Sequence, residues 1–307
     1  MLNIVGRKKI WFSISGLLVG AAIVAIVLFG FREGVDLAGG TLWEFNVVGT
    51  APTVAQVQNV FTNDLKLPDV TVNYDSLHQT FLVRLGEVNE TNHESYLATL
   101  ANPNELPALK ESSFQSIGPS IGAALRKNAL IAIFLVLLGI SLYIAFAFRK
   151  ASRPVSSWKY GWMTLLTLFH DVAIPAGLLA VLGHYLGVEI DSNFIVAILV
   201  VMGFSVHDTI VVFDRIRENV ILNRGKEKFD TVVNTSVNQT LARSVNTSLT
   251  LILVLLALYF TGPADLQYFV LTLLVGVTTG IYSSIFIASP GLVLMIPKET
   301  VVKVRKS

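Results

Sequence analysis

Between Ile10 and Phe29 the chain carries no charged side chain. That is about 20 residues, long enough for a helix to cross the hydrocarbon core of a bilayer. Five more apolar segments follow, at about 128–148, 162–183, 194–213, 245–261 and 267–290. With no water to satisfy N–H and C=O groups in lipid, runs of this length are restricted to helices. The composition agrees: 14% of residues are charged, against about 25% in a soluble domain. The net charge of +2 is too small to argue for nucleic acid, and the absence of cysteine excludes disulfides and thiolate metal sites.

Six spans put both ends of the chain on one side, and the basic residues say which. Lys and Arg cluster at Arg7-Lys8-Lys9, at Arg149, Lys150, Arg153 and Lys159, at Arg215, Arg217, Arg224, Lys226, Lys228 and Arg243, and in the tail at Lys298, Lys303, Arg305 and Lys306. The connections at 184–193 and 262–266 hold none, and carry Glu189, Asp191 and Asp265 instead. The positive-inside rule makes the termini cytoplasmic. The expected plan is a cytoplasmic N-terminus and first helix (1–32), an extracytoplasmic domain (33–125), helices two to six (126–297) and a basic cytoplasmic tail (298–307). The first apolar run continues past Gly20-Ala21-Ala22, so it reads as an uncleaved helix rather than a signal peptide.

The outer segment has the pattern of a small α+β unit. Thr41 to Val48 alternates polar and apolar residues, as a strand does. Val54 to Lys66 is amphipathic, with Val54, Val57, Phe61 and Leu65 on one face. Val70–Tyr74 and Thr80–Leu85 read as a hairpin joined around Asp75 to His78, Glu90 to Leu100 as a second helix, and Ser112 to Ile117 as a last strand. The order β-α-β-β-α-β is the ferredoxin-like pattern. His78 and His93 lie in polar contexts without ligand spacing and read as surface histidines. Asn102 to Pro107 is a loop. Glycine-rich stretches flank the domain, with Gly39-Gly40 on one side and Gly118-Pro119 on the other. They suit hinges and equally suit tight turns.

The remaining signal is polarity inside the spans. His170-Asp171 lies near the middle of the third, with Pro175 predicting a kink. His207-Asp208 lies toward the inner end of the fourth. An ionised Asp there costs at least a few kcal/mol, so a chain that keeps it pairs, hydrates or titrates it. In the fifth, Gln239, Arg243, Asn246, Thr247 and Thr250 fall on one helical face. Arg243 is the nearest candidate partner for Asp208. A carboxylate alternating between an arginine and an apolar surround takes a proton in one setting and releases it in the other. His207, Asp171 and His170 extend such a relay, with Ser205 and Thr209 able to host a water chain. A static ion pair that only fixes assembly is the competing reading. GxxxG patterns at Gly16/Gly20 and Gly276/Gly280 permit close helix approach.

At this point the sequence resembles the SecF family, bacterial membrane subunits of the protein-export machinery within the resistance-nodulation-division superfamily. The resemblance is carried by Gly34-Val35-Asp36-Leu37-Ala38-Gly39-Gly40-Thr41, by Ser116-Ile117-Gly118-Pro119, by His170-Asp171 and above all by Asp208 to Asn219. It implies a six-helix transmembrane bundle with one ferredoxin-like domain, in the inner membrane. The implied partners are a SecD-like subunit, the SecYEG channel, YajC and YidC, and a translocating unfolded polypeptide. The proton is the implied coupling ion, no other cofactor is expected, and Asp208 and Arg243 match the family's membrane Asp and Arg. Two positions depart: His207 stands where the family commonly has Asn, and Leu37 where Phe is more usual in the Asp-Leu-Ala-Gly-Gly run. Outside the resemblance, a proton-coupled exporter of small molecules or lipids is weakened by size, since such chains carry two six-span halves; a scaffold with static charges stays open. No nucleophile–base set, metal cluster or nucleotide loop points to an enzyme.

Overall fold

The computed structural model describes residues 1–47, 52–75, 79–100, 109–149, 155–223 and 226–296. The chain divides into two compact units: Arg32–Leu130 with Glu189–Ser192, and the remainder. In chain order, the first membrane helix α1 (Lys8–Phe29) precedes a single turn, α2 (Val35–Ala38), and the strand β1 (Gly40–Val47). Next come α3 (Val54–Asn59), extended by a wide π-type turn over Val60–Asp64, and the strands β2 (Thr71–Asp75) and β3 (Thr80–Leu85). The helix α4 (Glu90–Leu100) and the strand β4 (Leu109–Ile117) complete the domain. The long helices α5 (Pro119–Ala147), α6 (Ser157–Leu186), α7 (Ser192–Asn223) and α8 (Phe229–Thr261) follow. The last span is α9 (Gln267–Ser283), a π-type turn over Ser284–Ala288, and α10 (Ser289–Leu294).

The smaller unit is built on an antiparallel sheet ordered β2-β3-β1-β4, the ferredoxin-like arrangement. Strand period explains its core: Trp43 and Phe45 alternate inward from β1 and meet Phe61 from the turn that extends α3, Phe81 and Val83 from β3, and Leu100 from α4. Burying a large apolar side chain of this kind contributes about 1.5–3 kcal/mol. Thr53 begins α3 with a capping box, accepting from Gln56 N–H while Gln56 Oε1 accepts from Thr53 N–H. The last strand starts earlier than the expected Ser112. His78 and the 102–107 loop lie outside the described residues.

His93 is corrected: it is 5% exposed. Its ring stacks 3.6 Å from Phe114 and stands edge-on to Trp43, and its Nε2 lies 2.7 Å from Glu111 Oε2, which also accepts from Trp43 Nε1 at 2.8 Å. The histidine shares the inner face of α4 with Leu97 and Leu100, at the 93/97/100 spacing of a helix stripe.

Among the described residues six helices are long and apolar enough to cross a membrane. They extend past the apolar runs, because the polar ends of α7 and α8 continue as helix. α6, α7 and the last span form the buried centre, while α1, α5 and α8 keep most of their surface exposed. α6 continues through Pro175. It packs on α1 where a Cβ on Gly177 would fall 2.5 Å from the Ala22 Cα.

Candidate functional site

Four helices bring their small polar residues to one buried place. On α7, Ser205, Asp208 and Thr209 share a face through their three- and four-residue spacings. On α8, Thr240, Ser244 and Ser248 do the same, and all three are buried. The last span reaches the site because glycine lets it. A Cβ on Gly276 would lie 2.2 Å from Val201 Cγ2, and one on Gly280 would lie 3.3 Å from the Ser205 Cβ. The π-type turn then begins at Ser284. Ser283 turns to α6 and Ser284 to α7, so two consecutive residues serve one site.

Asp171 is fully buried and well satisfied. His170 Nδ1 lies 2.8 Å from Oδ1, and Oδ2 accepts from Ser205 Oγ at 2.5 Å and from Ser283 Oγ at 2.7 Å. Asp208 differs. Its Oδ1 accepts from Ser244 Oγ at 2.7 Å, while its Oδ2 is buried with no hydrogen-bond partner among the described residues. His170 Nε2 and Ser248 Oγ are buried and unpartnered in the same way. Thr209 and Ser284 share a hydrogen bond of 2.8 Å beside the aspartate. An unsatisfied buried polar atom costs about 1–3 kcal/mol, and such atoms cluster where chemistry or exchange takes place.

Arg243 is not in this cluster. Ser244, one residue on, meets Asp208, and Arg243 is exposed with no ion pair among the described residues. Neighbouring helix residues are about 100° apart, so an inward Ser244 turns Arg243 outward. The whole expected stripe is displaced: Gln239, Arg243, Asn246, Thr247 and Thr250 lie on the exposed face, and the inward stripe is Thr240-Ser244-Ser248. His207 is exposed too, while its neighbours Val206 and Asp208 are buried. The site thus joins His170, Asp171 and Asp208, and leaves out His207 and Arg243. Sequence reading missed Ser244, Ser283 and Ser284; the signal was the small-residue spacing of α8 and the serine pair just after Gly280.

The C-terminal end of the Asp208–Asn219 segment ties α7 to α8. Asn219 Nδ2 donates to Ser236 Oγ and Gln239 Oε1, both at 2.8 Å, and Arg215 Nε donates to Gln239 Oε1 at 2.7 Å. Within the sheet-containing unit, the two glycine joints meet. Gly39 and Gly40 have φ of +81° and +116°, and a Cβ on Gly39 would lie 2.8 Å from the Pro119 Cα. Both backbone conformation and close approach therefore require glycine there.

This is the architecture of a polytopic membrane protein with carboxylates enclosed by its own helices. The family model described as protein export membrane protein SecD/SecF, C-terminal, matches residues 98–298. The protein translocase subunit SecF of Thermobaculum terrenum is 41% identical over 297 residues, covering 94% of this chain and 92% of that one. The SecF subunit of Anaerolinea thermophila is 36% identical, with 96% and 94% covered. The crystal structure of SecDF, a translocon-associated membrane protein from Thermus thermophilus, superposes with a TM-score of 0.81 at 33% identity, over 96% of this chain and 38% of that longer one. The chain belongs to the SecD/SecF family of protein export membrane proteins.

Proposed function

We propose that the chain is the SecF-type subunit of a bacterial Sec translocase, and that it works by taking up and releasing a proton at Asp208, in the cluster that Asp171 helps to build. The observation that carries this is the asymmetry of the two aspartates. Asp171 is held by three donors, whereas Asp208 keeps a buried oxygen free to take a proton. A proton moving across the membrane releases free energy of about 2.3 kcal/mol per 100 mV, and a carboxylate inside a helical bundle is where that energy is converted. The outer domain does the work on the emerging polypeptide. The naming of the relatives as protein translocase subunits supports the substrate class. The fusion of both halves in the Thermus thermophilus SecDF chain supports a SecD-type partner. The SecYEG channel, YajC and YidC complete the expected assembly. The lysine and arginine pattern of the connections supports termini on the cytoplasmic side of the inner membrane.

The test is polypeptide translocation into membrane vesicles, with and without an imposed proton gradient. Asp208→Asn is expected to assemble normally and lose the gradient-dependent part, at least about tenfold; a wild-type gradient response in that variant sinks the reading. A static role fits Asp171, whose oxygens are already satisfied. Asp171→Asn is therefore expected to lower the amount of folded protein rather than the gradient response alone.

A further inference from the structure

The short connection between α6 and α7 is gripped by residues far from it in sequence. Arg84 on β3 donates from Nη1 to Glu189 Oε1 at 2.7 Å and from Nη2 to the Glu33 carbonyl oxygen at 2.6 Å. Arg32 Nε lies 3.3 Å from the same Glu189 oxygen. Gly34 N–H donates to the Ile190 carbonyl, and Ile190 N–H to the Arg32 carbonyl, both at 2.8 Å. A Cβ on Gly34 would stand 3.2 Å from the Ile190 oxygen, a tight contact that glycine avoids. Finally, Asp36 Oδ2 accepts from Ser192 N–H at 3.3 Å. Ser192 is the first residue of α7, where N–H groups have no acceptor within the helix and a carboxylate is favoured by the helix dipole.

Magnitude separates this grip from ordinary surface pairing. The Arg84 and Glu189 side chains are 23% and 21% exposed, so solvent and salt screen them less than a surface pair, whose worth is about 0–1 kcal/mol. The neighbouring Arg126–Glu33 pair is 54% and 34% exposed and belongs to that weaker class. The two attachments are an ion pair on the connection and a cap on the first residue of α7. All these residues belong to the sheet-containing unit. The helix they hold is the one that carries Asp208, about 24 Å further along at 1.5 Å per residue.

We propose that Arg84 and Glu189, with Asp36, are positioning residues that tie the sheet to the α6–α7 connection and to the first residue of α7, so that a change of state at Asp208 is felt at the sheet through that helix. The inference rests on Asp208 being the proton carrier. Hydrogen-bond and ion-pair networks joined to secondary elements are one physical carrier of coupling between distant sites. It assigns a task to the Gly34–Gly40 segment: Gly34 admits the connection, Asp36 caps the helix, and buried Val35 and Leu37 anchor the turn.

The experiment uses the full chain with its SecD-type partner in membrane vesicles, with Arg84→Gln, Glu189→Gln and the double variant. Each single change is expected to cut the gradient-dependent part of translocation by at least about fivefold. Gradient-independent translocation and the amount of assembled protein stay unchanged. The double variant is expected to be no worse than the poorer single, as for residues that act through one contact. A wild-type gradient response in the singles overturns the proposal, as does multiplication of their effects in the double, or a loss matched by an equal loss of assembled protein. If Arg84→Gln does not assemble, Glu189→Gln decides alone, since it leaves an oxygen for Arg84. Asp208→Asn run in parallel separates the two readings. If it keeps the gradient response, the proton-carrier reading falls; if it loses the response while the grip variants keep it, only the grip falls.

Discussion

Glu189 shows how one residue serves opposing demands. Burial pushes its carboxyl above the ordinary value of 4.5, and the Arg84 and Arg32 guanidiniums pull it only part of the way back. The folded protein therefore binds this proton more tightly than the unfolded chain does, and the sign of the linkage follows. Ionised Glu189 subtracts stability at pH above its raised value, and that loss disappears as pH falls through that value toward 4.5. Glu189→Gln has no charge to bury and keeps an oxygen for Arg84. It is expected to melt at or slightly above wild type at about pH 7, with the difference closing on acidification. Melting of the detergent-solubilised protein across this range is the measurement. A variant that melts several degrees lower at neutral pH, with no change on acidification, contradicts the account. Stability and coupling then part company at one position: the same change that spares the fold is the one expected to weaken the gradient response.

At the scale of elements, the glycines of the last span set how closely it approaches α7. A side chain at Gly276 meets Val201 at 2.2 Å from the Cβ alone, and overpacking of this kind costs about 1–3 kcal/mol. Gly276→Val is expected to lower the melting temperature and the gradient response together, whereas Gly16→Ala and Gly20→Ala, which meet nothing within 4 Å, are expected to leave both unchanged in melting and translocation assays. The two GxxxG patterns are indistinguishable in the sequence, because the pattern records small size and not what lies opposite. The same limit explains the other misreadings. Hydrophobic runs and basic connections gave the six spans, since each span is specified by its own residues. Alternation gave the strands of the small domain, for β1 shows Trp43 and Phe45 inward on its own period. The direction of α8 was not readable that way. Both of its faces carry polar residues, and only packing against α7 decides that Thr240, Ser244 and Ser248 turn inward. His93 was misplaced because a histidine amid polar residues looks solvated, although its spacing to Leu97 and Leu100 marks a buried stripe. Asp208 and Asp171 were legible as costly residues, but the serines that distinguish them come from three separate helices.

For the whole molecule, the outward polar face of α8 makes the last prediction. Gln239, Arg243, Asn246 and Thr250 are exposed at the start of an apolar run, and His207 is exposed on α7. An arginine on a membrane helix needs an anion or a path to water, and among the described residues this chain gives Arg243 no ion-pair partner. Lipid tails do not provide one. Helices associate in membranes through such polar contacts and close packing, because the hydrophobic effect no longer draws them together. The chain matches 38% of the longer SecDF chain, so that relative has further chain available to face such a surface. Arg243→Ala is therefore expected to reduce co-purification with the SecD-type subunit at matched expression, and Asp208→Asn, whose side chain is enclosed by its own helices, is expected to leave it intact. If Arg243→Ala co-purifies as wild type and Asp208→Asn does not, the outward face is not the docking face and the enclosed cluster is what the partner reads. If both co-purify as wild type while both lose the gradient response, Arg243 acts on protons and not on assembly, and the partner is held by some other surface.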